Sequence, residues 1–245
     1  MKIAIIGQGN VGTNLLHAFE MKNIRAAFID SHDAGQLASL SGVEWQNSVL
    51  IYAVADHALR QVVEQVNAPK ALHLHTSGTM PIDVFGDDKP HAGIIYFFQS
   101  FTKAALIDDW SSIPVIIEGK NIDDVAAIYT LALTLTPRVI EASQADRERL
   151  HVAGVFANNF TNCMYRIAAD LLKGTSIPFS ALLPLIDQTA AKVHTLAPKD
   201  AQTGPAVRDD QQVINHHLDL LAQLTKQTGD RPQEIYRLLT EYIQQ

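Results

Sequence analysis

Residues 1–12 read MKIAIIGQGNVG. An apolar run over 2–6 (KIAII) meets glycines at Gly7, Gly9 and Gly12. Residues 10–22 (NVGTNLLHAFEMK) then place Val11, Leu15, Leu16 and Phe19 on one side of a helix. The run reads as a strand buried on both faces, so the glycines fall where a strand hands over to a helix. A dinucleotide pyrophosphate needs a helix N-terminus whose free N–H groups and positive dipole end face it, with no side chain in the way. Gly7 permits the tight turn, Gly9 lets backbone meet phosphate, and Gly12 lets the helix pack on the strand. Together with Asn10 and Val11 they form the expected pyrophosphate site. A glycine-rich turn without a ligand would show the same residues; the strand before and the helix after favour the dinucleotide.

The second strand, 24–30 (IRAAFID), ends in Asp30, a carboxylate placed to accept hydrogen bonds from the adenosine ribose. The same charge repels a 2′-phosphate. The cofactor expected is therefore NAD or NADP, with Asp30 leaning toward NAD and the nearby His32 softening that preference.

Further strands are expected at 48–54, 70–75, 92–97, 113–118 and 137–141. Helices are expected at 56–66 and 121–135. The opening order β-α-β-β-α-β implies an α/β, Rossmann-type doubly wound and mostly parallel sheet. After Glu141 the character changes. Residues 143–173 hold no proline and one glycine, Gly154, and read as one helix of unusual length. Helices follow at 178–197, 209–227 and 232–243. Gly174, Pro178, the stretch Pro198–Pro205 and the stretch Gly229–Pro232 separate them. The domains expected are 1–142, nucleotide-binding, and 143–245, all-helical and suited to substrate binding and dimerisation.

Composition sets the class. The chain has 245 residues, 47% of them apolar, enough for a substantial core. A net charge of −7 argues against a nucleic-acid partner. One cysteine, Cys163, fits a reducing compartment, and the remaining histidines show no metal-ligand spacing. No apolar run approaches a membrane span, and the first strand begins at Lys2. A cytoplasmic protein with a small-molecule substrate, no membrane, no metal and a homodimeric assembly is expected.

In an open parallel sheet ligands sit beyond the carboxyl ends of the strands. AVADHAL (53–59) and HTSGTMP (75–81) lie there. Val54 and Ala55 are small enough to pass under a cofactor. Asp56 reads as a helix cap. Thr76 and Ser77 offer hydroxyls near the place of a nicotinamide, or form a simple turn.

Taken together, GQGNVG, Asp30, HTSG, FFQSFTK (97–103), HVAGVFANNFTN (151–162) and TGPAVRDD (203–210) resemble the Rossmann-like DUF2520 family. The resemblance covers nearly the whole chain and implies an NAD(P)-dependent oxidoreductase. Its build is similar to ketopantoate reductase, 3-hydroxyisobutyrate dehydrogenase and pyrroline-5-carboxylate reductase, a 6-phosphogluconate-dehydrogenase-like arrangement. Two departures stand out. Related sequences carry His-Pro or Tyr-Pro where this chain has Tyr96-Phe97. Similar hydroxyacid dehydrogenases carry a lysine three residues before an Asn-Asn pair, and here that position is Val155.

Another group must then move the proton. At helical spacing His151, Asn158 and Asn162 share a stripe. His151 suits a general acid and Asn158 can hold the reacting oxygen; alternatively, the histidine is a hydrogen-bonded core residue and the asparagines bond neighbouring backbone. Arg208 suits a substrate carboxylate or phosphate, or a clamp to Asp210. The reading is hydride transfer between nicotinamide and a small carbonyl, imine or hydroxy compound held between the two domains. The alternatives are a non-catalytic NAD(P)-binding sensor or partner module, and a deazaflavin-dependent NADP reductase.

Overall fold

A computed structural model describes residues 2–224 and 231–245. It divides into two compact units, Met1–Asn158 and Asn159–Gln245.

The first unit is built on a seven-stranded sheet. Its strands are β1 (Ile3–Ile6), β2 (Ala26–Ile29), β3 (Val49–Tyr52), β4 (Leu72–His75), β5 (Ala92–Phe97), β6 (Val115–Gly119) and β7 (Val139–Glu141). The spatial order is β2-β1-β3-β4-β5-β6-β7. Every pair is parallel except β5–β6. The chain leaves β1 toward β2 on one side and returns to β3 on the other, so the order reverses between β1 and β3. The mostly parallel, doubly wound α/β sheet inferred from the strand–helix alternation is therefore present.

Alternation of side chains explains why the apolar runs carry no polar positions. Ile3 and Ile5 face one layer with Leu15, Phe19, Ile51, Ile95, Ile117 and Ile128. Ala4 and Ile6 face the other with Leu37, Leu50, Leu59, Val63 and Phe85. The helices α1 (Asn10–Met21) and α4 (Ile122–Leu133) cover the first face. The helices α2 (Ala34–Ser39) and α3 (Asp56–Glu64) cover the second. The short α2 is absent from the sequence reading, which ran strand into strand. It buries only Leu37, so it has almost no apolar periodicity, and it is started by Asp33, whose carboxylate accepts from Gly35 and Gln36 N–H.

The single helix expected over 143–173 needs correction. Helix α5 (Gln144–Gly154) passes into a π-helical turn, Val155–Phe160, and then into α6 (Thr161–Leu171). A π turn holds one more residue than an α turn, so every later side chain is rotated by about 100° from its α position. Asn158 lies inside that turn, so α spacing alone does not set its place relative to His151. At the point of change a Cβ on Gly154 would lie 2.7 Å from the Phe98 ring. Helix α5 belongs to the first unit, and its Arg147 is fully buried there.

The second unit is helical, as expected. After α6 come a 3-10 turn (Phe179–Leu182), α7 (Leu183–Lys192), α8 (Pro198–Ala201), α9 (Gln211–Leu224) and α10 (Arg231–Ile243). The helix expected over 178–197 is shorter, because Pro184 stands at its first turn and the chain leaves α geometry after Lys192. The stretch expected as a break after Pro198 contains a single helical turn. Positions 225–227 of the helix expected to end at 227, and Gly229 with Asp230, lie outside the described residues.

Candidate active site

The strand order reverses between β1 and β3, and open α/β sheets bind ligands beyond the carboxyl ends of strands at such a point. Gly7 closes β1 with φ +105°, a conformation costly for any residue with a side chain. A Cβ there would lie 2.6 Å from the Ala53 carbonyl oxygen and 2.8 Å from Val54 Cγ1. On Gly12, one turn into α1, a Cβ would overlap the Gly7 carbonyl. These two glycines answer to the protein's own packing. Gly9 does not. Its φ of −73° is open to any residue, and a Cβ would meet only the Ala53 oxygen, at 3.8 Å. Nothing inside the chain demands glycine there. The space beside it faces the first turn of α1, whose cap residue supplies no side-chain hydrogen bond. A diphosphate fits that cradle: donors at the helix end, a clear approach, and no competing side chain.

The neighbouring predicted residues are divided between support and contact. Val11 packs against the first core layer and Val54 against the second. Ala55 is the cap residue of α3. Asp56, expected as that cap, is instead the first helical residue. Its carboxylate accepts from the Thr79 hydroxyl at 2.7 Å, tying α3 to the turn after β4. Asp30 follows β2, and its Oδ1 accepts from His32 N–H at 2.9 Å. Its Oδ2 has no hydrogen-bond partner among the described residues.

Asn10 has a second task. Its Oδ1 accepts from Lys103 N–H at 3.2 Å, while Asn14 donates to the Asn10 and Thr102 carbonyls at 2.9 and 3.0 Å. Asn14 also accepts from Ile107 N–H at 3.1 Å and is fully buried. The FFQSFTK segment is thus strapped along α1 beside the glycine turn. The sequence reading missed Asn14. Its signal was visible: a polar residue between Val11 and Leu15 on the apolar side of α1.

Along the sheet, Ile6 pairs with Tyr52 and Tyr52 with His75; His75 pairs with Ile94 on β5. Three strand spacings, roughly 14 Å, separate the end of β1 from the end of β5. Thr76 gives its N–H to Tyr52 O at 3.3 Å. Ser77 Oγ accepts from Thr79 and Met80 N–H at 3.1 and 3.0 Å, so this serine builds the turn. The alternative of a simple turn therefore describes the Ser77 hydroxyl well. Gly78 is buried in that loop. A Cβ on it would lie 2.5 Å from His151 Nδ1 and 2.9 Å from Tyr96 Cζ.

His151 on α5 and Tyr96 on β5 meet over that glycine. The Tyr96 hydroxyl is 3.0 Å from His151 Nδ1, and the rings are 6.0 Å apart. Burial pushes the Tyr96 phenol up from its usual value, against a weaker opposite pull from Arg147. Arg147, also unforeseen, lies fully buried one turn before His151. It donates to Ser77 O at 3.4 Å and to Glu118 at 3.3 Å. A charged helical residue reads as solvated from sequence; only the fold places Glu118 opposite it.

His75 and His73 stand on β4, and burial pushes each down to about 4. His73 is a satisfied core histidine, 2.9 Å from both the Tyr52 hydroxyl and the Ala68 carbonyl. Among the described residues no cluster of three or more His, Cys, Asp or Glu could hold a metal. No helix there is long and apolar enough to cross a membrane.

Asn158 is exposed within the π turn. In the second unit Arg208 is exposed and forms no ion pair among the described residues, so the clamp to Asp210 is not made. Asp210 instead accepts from Val213 N–H at 3.2 Å at the start of α9. The preceding Asp209 sits at φ 52° and accepts from Gln211 and Gln244 side chains.

Comparison with known proteins places these features in a lineage. No curated protein matches the chain. Among solved structures, a provisionally assigned NADP oxidoreductase of Bacteroides fragilis is 36% identical, with 99% of this chain and 97% of that one covered and a TM-score of 0.84. A Thermotoga maritima protein is 19% identical, covering 98% and 96%, with a TM-score of 0.71. The reductive aminase of Aspergillus terreus, solved with NADPH and ethyl levulinate, is 12% identical, covering 99% and 92%, and shares the fold at a TM-score of 0.67. The model of a domain of unknown function, DUF2520, matches residues 113–243, and the chain belongs to that family.

Proposed function

We propose that this protein is an NAD(P)-dependent oxidoreductase acting on a small carbonyl, imine or hydroxy compound. The observation that carries the reading is Gly9, a glycine the fold itself does not require, at the mouth of a helix N-terminus that faces open space. The 36%-identical relative assigned as an NADP oxidoreductase supports the cofactor class. The reductive aminase with NADPH and a keto ester supports the carbonyl or imine class.

Nicotinamide, when bound, supplies or takes the hydride. The chain's residues do the rest. N–H groups at Gly9, Asn10, Val11 and Gly12 hold the pyrophosphate. Asp30 Oδ2 accepts from the adenosine ribose, which favours NAD over NADP. Val54, Ala55 and Thr76 line the path toward the end of β4. His151 donates a proton to the oxygen or nitrogen next to the carbon that receives hydride, and Asn158 holds that atom. Arg208 offers its fork to an anionic substrate group.

A homodimer through the helical unit completes the proposal. Helices α6 and α7 bury no residue within the single chain, and Leu185, Leu238 and Tyr242 are 65%, 59% and 75% exposed. Apolar helix faces of this extent need a partner.

The test is calorimetric titration with NADH and NADPH, followed by a turnover screen of carbonyls and imines read at the nicotinamide absorbance. Saturable binding and turnover are expected. No heat with either dinucleotide refutes the reading, and binding without turnover favours the sensor alternative. Sedimentation that gives a monomer at micromolar concentration refutes the dimer.

A further inference from the structure

We propose that Tyr96 is a positioning residue: its hydroxyl holds the Nδ1 edge of His151, so that Nε2 is the nitrogen that delivers the proton. The inference rests on the reading of His151 as proton donor and deepens it. Three elements distant in sequence converge on one point: the loop after β4 at Gly78, the end of β5 at Tyr96, and α5 at His151. The contact is 3.0 Å. Any side chain at position 78 would collide with both rings, since a Cβ would stand 2.5 Å from Nδ1 and 2.9 Å from Tyr96 Cζ. Phe98, two residues on and just past the end of β5, packs 6.1 Å from the Tyr96 ring and also covers Gly154. The last turn of α5 is thereby seated on Tyr96 at one end and on Phe98, just past β5, at the other. His151 Nε2 has no hydrogen-bond partner among the described residues, and the ring is only partly buried, so that edge is open to a ligand.

The proton inventory closes without rearrangement. In the imidazolium both nitrogens carry hydrogen, and Nδ1–H donates to the Tyr96 oxygen. As hydride arrives at a substrate carbon, the adjoining oxygen or nitrogen takes the Nε2 proton, and the N–H bonding pair remains on Nε2. The ring that is left is the neutral Nδ1–H tautomer, with the same hydrogen bond to the same oxygen. Half-buried beside Phe98, the phenol stays neutral and builds no charge during the step. In the opposite direction Nε2 accepts the proton and Nδ1–H is again unchanged. A partner on the second nitrogen is what selects the tautomer of an imidazole.

The test starts with nitrogen-15 NMR of histidine side chains in the full-length protein, with His151→Asn used to assign the signal. In the wild type at pH 8 the neutral ring is expected as Nδ1–H; a predominant Nε2–H form overturns the proposal without any further variant. In Tyr96→Phe the signal is expected to shift toward the Nε2–H form. With a substrate found by the turnover screen, Tyr96→Phe should lower kcat about 10- to 100-fold. The KM for the nicotinamide dinucleotide should stay within about twofold. An unchanged kcat, or loss confined to dinucleotide KM, assigns the contact to packing and refutes the positioning role. The NMR measurement uses no cofactor, so failure of dinucleotide binding and failure of this proposal are separately visible.

Discussion

Gly9→Ala separates ligand from fold more sharply than any other single change. The native φ of −73° suits alanine, and the new methyl meets only the Ala53 oxygen, at 3.8 Å. Removing a glycine from a compatible position stabilises by about 0.4–1 kcal/mol through the unfolded chain. Alanine is the poorer helix cap by a comparable amount. The two effects oppose, so unfolding free energy should change by less than about 1 kcal/mol. With about 2–4 °C per kcal/mol for a chain of this size, Tm should move by no more than a few degrees. A phosphate seated on that turn cannot tolerate the methyl. Losing one or two charge-assisted N–H bonds at about 1.5–3 kcal/mol each weakens affinity at least about tenfold. Gly7→Ala is the contrast. Its Cβ would stand 2.6 Å from a carbonyl oxygen at φ +105°. Strain and overpacking together cost about 2–6 kcal/mol there. The assays are thermal unfolding and calorimetric titration with NADH and NADPH. A Gly9→Ala protein that keeps both its Tm and its dinucleotide affinity refutes the argument that the open side of this glycine faces a phosphate.

Other outcomes follow from the same geometry. Asp30→Asn removes the charge proposed to face the ribose. The ratio of NADPH to NADH affinity should rise about tenfold or more, and an unchanged ratio in competition titrations removes Asp30 from specificity. His73 and His75 are held near 4 in the fold against 6.5 in the open chain. The unfolded state therefore binds more protons between those values, and stability present above pH 6.5 is lost as pH falls toward 4. Urea unfolding should show a loss of about 2 kcal/mol per histidine from pH 7 to pH 5, and a flat profile contradicts their neutral burial. Asn14→Ala strands the Ile107 N–H and the Thr102 carbonyl. It should cost about 1–3 kcal/mol and speed hydrogen exchange across 102–107; unchanged exchange there would show that Asn14 is not the strap.

What the chain declares by itself is local and periodic. A run such as Ile3–Ile6, with every residue apolar, reads as a strand covered on both faces, and the glycines after it as a tight turn into a helix. The strand–helix alternation then limits the sheet to a mostly parallel, doubly wound form, and apolar periodicity marks the helices beyond residue 143. Where the signal was short or out of phase, reading stopped. Helix α2 buries one leucine and has no period to detect. The π turn at Val155–Phe160 adds a residue to a helix whose composition looks unbroken, so α spacing does not carry through Asn158. The site depended further on approach in space. Arg147 opposite Glu118, Tyr96 against His151, and Asn14 beneath Thr102 pair residues 29, 55 and 88 positions apart. No periodicity encodes such pairs, because they arise only when separate strands and helices stack and each buried polar group must find its partner there.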